Sequence, residues 1–264
     1  MENESKLKQL SGKKHIILTP SGDHAIKAVF SILKGKKCLI PDQAGWLSYR
    51  KLPLKLGYEV EEVKTDFGII DLEDLKKKAK NSDCFIYQQP AGYFAEQDTE
   101  AIYEICKEKC IVIMDIAGSI GSRLYNPKFC DIAVCSFGKW KPIDVGYGGC
   151  LAFDDDMLNE SAKEFEEFDD KYAEKLAEQI SLLNNKYKKY SEITKKIKKD
   201  LSTYEIIHPT LSGISVVVKF TSQGEKEKLI NYCRGNGLEF TLCPRYIRVL
   251  DNAISIEVKR LKVM

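Results

Sequence analysis

Short apolar runs alternate with amphipathic segments along roughly the first 155 residues of the chain. The runs have the length of buried strands, and the segments between them repeat apolar residues at helical spacing. The predicted strands are 37–41, 59–63, 83–88, 110–115, 131–136 and 149–153. The predicted helices are 23–33, 47–56, 72–80 and 99–109. This alternation predicts an α/β fold with a mainly parallel sheet covered by helices on both faces.

The pattern changes after residue 158. A charged stretch over 159–201 repeats apolar residues three and four apart, which predicts an amphipathic connecting helix with a solvated, lysine-rich end. Beyond it we predict a strand at 213–220, a helix at 224–236 and strands at 238–242 and 254–258. We therefore expect a large α/β domain over 1–158, and a connecting helix with a small C-terminal α+β domain over 159–264.

Composition excludes some classes of function. The chain has 41 Lys and Arg against 39 Asp and Glu, which gives no bulk attraction for nucleic acid. No apolar run reaches the length of a membrane span, and the N-terminus is too polar for a signal peptide. The nine cysteines include no CxxC pair, which favours a reducing cytoplasm. No spacing of His, Cys and Asp predicts a metal site.

The most informative segment is 130–153, which reads CDIAVCSFGKWKPIDVGYGGCLAF. Ser136 ends a predicted strand, Lys141 follows five residues later, and a glycine-rich turn leads into the next strand. A lysine in this setting suits a Schiff base with an aldehyde cofactor, because partial desolvation lowers the pKa of the amine and makes it nucleophilic. The alternative is a surface turn with solvated lysines, whose glycines only serve a hairpin.

A carboxylate, Asp115, ends the strand that precedes this segment. Ligands of parallel sheets bind at the carboxyl ends of the strands, so Asp115 and Ser136 are expected at the same edge. A partly desolvated carboxylate there suits a contact with the protonated ring nitrogen of pyridoxal phosphate, which keeps the ring an electron sink. Alternatively, Asp115 caps the turn that follows it.

The order of Asp115, Ser136, Lys141 and the turn Gly146-Tyr-Gly-Gly149 resembles that of the fold-type I pyridoxal-phosphate enzymes. Among these it is most like the DegT-like sugar aminotransferase family. The resemblance implies that Asp115 contacts the pyridine nitrogen, that Ser136 helps to hold the phosphate, and that Lys141 forms the Schiff base. It also implies pyridoxal 5'-phosphate as the cofactor and a large cofactor-binding domain.

Two further segments fit the resemblance. Gly22 and Asp23 open a predicted helix where the family binds the cofactor phosphate, and Trp46 follows the next strand, where the family stacks an aromatic residue on the ring. Asp23 replaces the usual Thr or Ser, so its carboxylate either repels the phosphate or turns away to cap the helix. Gly118 stands where the family usually has a glutamine. A half-buried core indole is the alternative for Trp46.

Three residues are candidates for substrate contacts. Tyr93 lies in a loop rich in Gly, Pro and aromatic residues, which suits a substrate-facing loop and equally a structural turn. Arg245 and Arg248 of the small domain are candidate clamps for a substrate carboxylate, with surface solvation as the alternative.

The sequence thus predicts a cytoplasmic, homodimeric aminotransferase that depends on pyridoxal phosphate. It would move an amino group from an amino-acid donor to a keto or keto-sugar acceptor through a Schiff base on Lys141. Its partners are predicted to be small molecules, with no nucleic acid or membrane. One alternative is a lyase or decarboxylase that acts on an amino acid with the same cofactor. Another is a shortened, non-catalytic relative that serves as a binding subunit, because Asp23, Gly118 and the short C-terminal region depart from the family pattern.

Overall fold

A seven-stranded sheet forms the centre of the large part of the molecule. The computed structural model describes residues 2–261. The first nine strands are β1 (His15–Thr19), β2 (Lys37–Pro41), β3 (Glu59–Val63), β4 (Thr65–Asp66), β5 (Ile69–Ile70), β6 (Cys84–Gln88), β7 (Ile111–Asp115), β8 (Ile132–Ser136) and β9 (Gly149–Phe153). The sheet order is β1-β9-β8-β7-β6-β2-β3, and β4 and β5 form a separate antiparallel ribbon. Strand β9 runs antiparallel to both of its neighbours, β1 and β8, and the other four pairings of the large sheet are parallel, so the predicted mainly parallel sheet is confirmed.

Helices cover both faces of this sheet, as predicted. They are α1 (Glu2–Ser11), α2 (Gly22–Leu33), α3 (Ser48–Lys55), α4 (Leu72–Ala79) and α5 (Thr99–Cys106). Successive side chains of a strand point to opposite faces. In β7, Val112 and Met114 belong to the apolar cluster on one face, whereas Ile113 packs on the other face with Val29 and Phe30 of α2. Each such fully buried side chain contributes about 1.5–3 kcal/mol to folding.

The N-terminal elements were not predicted. Strand β1 pairs with β9 from His15↔Phe153 to Thr19↔Gly149 and forms one edge of the sheet. Helix α1, which precedes it, buries only Leu7 among its apolar residues. A strand of five residues and a mostly polar helix give weak periodicity, so the sequence pattern alone did not distinguish them from a loop.

The single connecting helix expected over 159–201 is wrong. The chain instead forms α6 (Asp156–Ala162), two short 3-10 turns, α7 (Ala173–Ser181) and α8 (Leu183–Asp200). Aspartate caps start two of these pieces. Asp155 accepts hydrogen bonds from the backbone of Met157 and Leu158, and Asp169 accepts one from Lys171. Such caps mark helix starts and interrupt a pattern that is otherwise amphipathic.

The C-terminal part forms a small α+β unit, as predicted. Strands β10 (Val216–Lys219), β11 (Phe240–Leu242) and β12 (Ala253–Ile256) form an antiparallel sheet with β12 in the centre, and α9 (Gln223–Gly235) packs on it. All four residues of β12 are buried. The domain boundary near residue 158 stays a prediction.

The structure bears on membrane-spanning helices, metal-ligand clusters and the state of the cysteines. In residues 2–261, no helix is both long and apolar enough to cross a membrane. Over the same residues, no cluster of three or more His, Cys, Asp or Glu has an arrangement that suits a metal ion. The nine cysteines are all buried and form no disulfide, which agrees with their interpretation as small apolar side chains.

Candidate active site

One cavity of about 540 Å³ brings together all the residues that the sequence singled out. It opens at the carboxyl ends of β7 and β8, between the large sheet and the C-terminal unit. The predicted residues that line it are Gly22, Asp23, Trp46, Tyr93, Asp115, Ser136, Lys141, Arg245 and Arg248. A larger cavity of about 700 Å³ near α1 and α7 is lined by seven acidic side chains. Its charge does not suit an anionic cofactor or substrate, so we place the chemistry in the first cavity.

Asp115 is a buried carboxylate with two fixed hydrogen bonds. Its Oδ2 accepts a hydrogen bond of 2.6 Å from the hydroxyl of Tyr49, and its Oδ1 accepts one of 2.9 Å from the backbone of Ala117. The second bond is the turn cap that was the alternative role for Asp115, so the residue caps the turn and also lines the cavity. Burial raises the pKa of Asp115, and this effect outweighs both hydrogen bonds and the nearby charge of Lys141. Sequence reasoning missed Tyr49, which belongs to α3.

Lys141 reaches the same cavity from the loop after β8. Its amine donates a hydrogen bond to the hydroxyl of Tyr93 and lies 5.2 Å from the centre of the Trp46 ring. Burial disfavours the charged amine, but the Tyr93 hydroxyl and the Asp115 carboxylate outweigh burial, so the pKa of Lys141 is raised. The expectation that desolvation would lower this pKa is therefore wrong, because these two partners favour the ammonium form.

The start of α2 and Ser136 form one corner of the cavity. Ser21 caps α2 by accepting a hydrogen bond of 3.1 Å from the backbone of His24. A Cβ added to Gly22 would lie 2.6 Å from the Cβ of Ser136, so only glycine permits this close approach. A helix N-terminus beside a serine hydroxyl is a suitable place for a phosphate, because free backbone N–H groups and the helix dipole attract anions.

Asp23 does not cap the helix. That role belongs to Ser21, whereas Asp23 Oδ1 accepts a hydrogen bond of 2.7 Å from the indole Nε1 of Trp46. The proposed alternative of a capping aspartate is therefore wrong. The hydrogen bond fixes the half-buried Trp46 ring at the side of Lys141 and directs one Asp23 oxygen towards the indole.

Tyr93 occupies the space next to Gly118. A Cβ added to Gly118 would lie 2.9 Å from Cδ1 of Tyr93, so a larger residue at 118 would displace the tyrosine ring. Tyr93 adopts a φ of 71°, which is uncommon for a residue other than glycine. Its carbonyl accepts a hydrogen bond of 2.7 Å from the backbone of Ile214, which ties this loop to the C-terminal unit. The ring of Tyr93 therefore occupies the space that a side chain at 118 would need.

The C-terminal unit contributes a group of cations to the cavity. Arg248 is 2% exposed and makes two hydrogen bonds to Glu257, of 2.9 and 2.8 Å. Because its guanidinium is engaged in this pair, Arg248 is a weaker candidate for a substrate clamp than the exposed Arg245. Sequence reasoning missed Lys259 and Arg260, which also line the cavity.

The pKa values of Lys259 and Glu257 both lie well below their usual values. Burial is the largest cause that lowers the pKa of Lys259 to about 7, and Arg248 adds to it, although Glu257 opposes it. Burial alone would raise the pKa of Glu257, but the charges of Arg248 and Lys259 outweigh burial and hold that pKa far below its usual value. The Lys259 amine is 3.5 Å from Glu257 and donates a hydrogen bond of 3.2 Å to the backbone carbonyl of Trp140.

The sheet order, the single antiparallel strand and the cavity at the carboxyl edge define the fold-type I class of pyridoxal-phosphate enzymes. The chain belongs to the DegT/DnrJ/EryC1/StrS aminotransferase family, whose model matches residues 1–190. Residues 184–264 match a second model, the MJ1341 family C-terminal domain. The predicted family is therefore confirmed, and so is pyridoxal phosphate as the cofactor of that family.

Solved structures show a similar fold at low sequence identity. The 3-amino-5-hydroxybenzoic acid synthase has a TM-score of 0.78 at 15% identity, and the match covers 98% of this chain and 84% of the synthase. PseC from Helicobacter pylori, an aminotransferase of pseudoaminic acid biosynthesis, has a TM-score of 0.78 at 16% identity. The match covers 97% of this chain and 84% of PseC. The E. coli GDP-4-keto-6-deoxy-D-mannose-3-dehydratase, with hydrated PLP bound, has a TM-score of 0.76 at 14% identity. The match covers 99% of this chain and 87% of the dehydratase. No curated protein sequence matches the chain.

Proposed function

We propose that the protein is a pyridoxal-phosphate-dependent aminotransferase that moves an amino group from an amino-acid donor to a keto or keto-sugar acceptor. The observation that carries this proposal is that Lys141 and the buried Asp115 line one cavity with the corner formed by Gly22 and Ser136. The family membership supports the reaction class.

The side chains present fit the cofactor. Asp115 would contact the pyridine nitrogen, the α2 N-terminus and Ser136 would hold the phosphate, and Trp46 would contact the ring. The corner at Gly22 supports this fit, because any Cβ there would fill the space beside Ser136. When bound, pyridoxal phosphate supplies an aldehyde carbon that bonds to amines and a ring that withdraws electrons.

The chain's own residues then carry the proton transfers. The Lys141 amine lines the cavity and donates a hydrogen bond to Tyr93, and it would remove and return the proton at the substrate α-carbon. Tyr93 would hold the amine in position. Asp115, fixed by Tyr49 and Ala117, would keep a proton on the ring nitrogen. The C-terminal unit would limit access of water to the reacting atoms.

Three departures from the family pattern suggest a non-catalytic relative, namely Asp23, Gly118 and the short C-terminal region. The structure shows Asp23 bonded to Trp46 and the space beside Gly118 filled by Tyr93. Asp23 and Gly118 thus each have a neighbour that lines the cavity, Trp46 for the first and Tyr93 for the second. These contacts support an active enzyme over a binding subunit.

The reaction type is tested by half-reactions on protein loaded with pyridoxal phosphate. Addition of an amino donor should convert the visible absorption band of the bound cofactor and release one keto acid for each site converted. A lyase would instead release an elimination product or carbon dioxide, and the visible band would return. Protein that never develops a visible band with the cofactor would contradict the proposal as a whole.

The proposal includes a homodimer in the cytoplasm. Three exposed leucines near α3, Leu47, Leu54 and Leu56, are 45%, 52% and 39% exposed and offer an apolar surface for a second copy. The buried, unpaired cysteines suit a reducing compartment. Light scattering should give twice the mass of the chain, and a monomer would contradict this part of the proposal.

A further inference from the structure

The wall of the cavity that the C-terminal unit provides has an excess of positive charge. Arg248, Lys259 and Arg260 share one carboxylate, Glu257, whose Oε2 lies 2.8, 3.5 and 3.9 Å from them. The side chains of Glu257, Arg248 and Lys259 are almost fully buried. Arg260 also pairs with Glu239, whereas the buried cations Arg248 and Lys259 have Glu257 as their shared carboxylate. Two buried cations on one carboxylate leave room for a further anion, because buried charges need partners.

Both arginines of this group already donate hydrogen bonds to other side chains. Arg248 makes its two hydrogen bonds to Glu257. Arg260 donates hydrogen bonds of 3.2 Å to Glu239 and 3.0 Å to Thr241. Lys259 differs, because in the described part of the chain its only hydrogen bond goes to the Trp140 carbonyl. An ammonium has three donors, so Lys259 keeps two of them for a ligand. Arg260 also keeps a buried Nε–H without a partner in the described part of the chain, so the position of Lys259 decides between the two residues.

Lys259 also lies near the reacting amine. The Lys259 and Lys141 amines are 4.5 and 4.6 Å from the centre of the same ring, that of Tyr93. Both residues line the same cavity. Both amines therefore lie against the Tyr93 ring in one cavity.

We propose that Lys259 receives a carboxylate of the amino-acid substrate, and that Arg248 and Glu257 act as positioning residues that hold it. The inference rests on the proposed function, since it assumes an amino-acid substrate bound next to Lys141. It assigns the substrate contact to a lysine of the C-terminal unit, in place of the clamps predicted at Arg245 and Arg248.

The charge state of Lys259 makes the proposal dependent on pH. The groups that face its amine are Glu257, Arg248, Arg260, Lys141 and Tyr93, and Asp144 and Lys186 line an adjoining cavity with it. With a pKa of about 7, the free amine loses its proton as the pH rises past neutrality. A carboxylate bound beside it would favour the proton. Binding should therefore take up a proton near pH 8 and weaken as the pH rises.

The test is calorimetric titration of the cofactor-loaded protein with maleate, a dicarboxylate that carries no amine. We expect Lys259→Met to weaken maleate binding roughly tenfold or more, as for loss of a hydrogen bond between charged groups, and Lys259→Arg to retain most of the affinity. Lys139→Met, which removes a charge from the same cavity, should have little effect. Unchanged affinity in Lys259→Met, or a loss that follows Arg245→Met instead, would overturn the assignment.

Two further measurements, a titration with phosphate and a measurement of proton uptake, separate the possible explanations of this result. A parallel titration with inorganic phosphate separates the sources of the anion, because Lys259-dependent binding of phosphate without maleate would contradict a carboxylate. Proton uptake in the unmodified protein, measured in buffers of different ionisation enthalpy, needs no variant, and its absence near pH 8 would also count against the proposal. The visible cofactor band is recorded separately. Protein without that band but with Lys259-dependent maleate binding would refute the proposed function and leave the anion site in place.

Discussion

The indole nitrogen of Trp46 donates a 2.7 Å hydrogen bond to the carboxylate of Asp23. The two residues lie at the start of α2 and between β2 and α3, and both line the cavity. The carboxylate has two opposite effects on an anionic cofactor. Its charge repels a phosphate at the helix start, whereas its hydrogen bond fixes the aromatic ring that would contact the cofactor.

We expect the hydrogen bond to be the larger of these effects, because one Asp23 oxygen is directed to the indole. Asp23→Ala should weaken the binding of pyridoxal phosphate a few-fold, which corresponds to about 0.5–1.5 kcal/mol for one hydrogen bond. Asp23→Asn, which keeps an acceptor without the charge, should bind at least as tightly as the unmodified protein. The affinity is measured by absorbance titration. Tighter binding in Asp23→Ala would show that repulsion dominates.

Tyr93 is expected to control the reactivity of Lys141. The tyrosine hydroxyl is a main cause that raises the pKa of the lysine, so Tyr93→Phe should lower that pKa and increase the fraction of neutral amine at pH 8. An amine-selective acylating reagent should then modify Lys141 faster, as quantified by mass spectrometry of its peptide. Tyr87→Phe is the matched control, since Tyr87 is a buried tyrosine whose hydroxyl has no partner among residues 2–261. Equal rates in all three proteins would contradict the prediction.

Gly118 and Tyr93 are expected to be coupled in stability. Gly118→Ala places a Cβ 2.9 Å from the tyrosine ring and should lower the free energy of unfolding by about 1–3 kcal/mol, as for overpacking in a core. In the double variant with Tyr93→Ala, the clash with the ring is absent and the 3.1 Å approach to Cδ of Pro90 remains, so the cost of the alanine should become smaller. Urea unfolding of the four proteins gives the coupling. Additive effects would mean that the two residues do not compete for the same space.

Glu257 is expected to stabilise the fold by balancing the cations around it. Glu257→Gln should lower the free energy of unfolding by about 3–5 kcal/mol near pH 6, because it leaves buried cations without a carboxylate. The folded pKa of Glu257 lies below its ordinary value of 4.5, so its contribution is present above that pH and is lost as the pH falls through the folded value. The difference between variant and unmodified protein should therefore be constant from pH 5 to 6.5 and shrink in more acidic solution. A difference that grows with acidity would contradict the sign of this pKa shift.

Much of the large domain was predictable because its signals are local. Strands β2 and β6 to β9 are short apolar runs between helical segments, and the spacing of Asp115, Ser136 and Lys141 is contained in neighbouring elements. Contacts between distant parts of the chain were not predictable. Tyr49 meets Asp115 across 66 residues of sequence.

Lys259 shows why the contribution of the C-terminal unit to the cavity was not predicted from the sequence. It follows the predicted strand in the polar segment EVKR, where a lysine is normally solvated. Its burial arises only when the C-terminal unit packs beside Trp140 and Tyr93, from elements more than a hundred residues away. The alternation of polar and apolar residues carries no information about such packing.

Identification of the lysine that bonds to the cofactor is the most direct test of the proposed chemistry. Two buried amines, Lys141 and Lys259, line the cavity, and the second has the lower pKa. Protein loaded with pyridoxal phosphate is reduced with borohydride, digested and examined by mass spectrometry, with Lys141→Ala and Lys259→Met in parallel. We predict that the reduced cofactor is attached to Lys141 and that Lys141→Ala alone abolishes the adduct. An adduct on Lys259, or none on either lysine, would contradict this assignment.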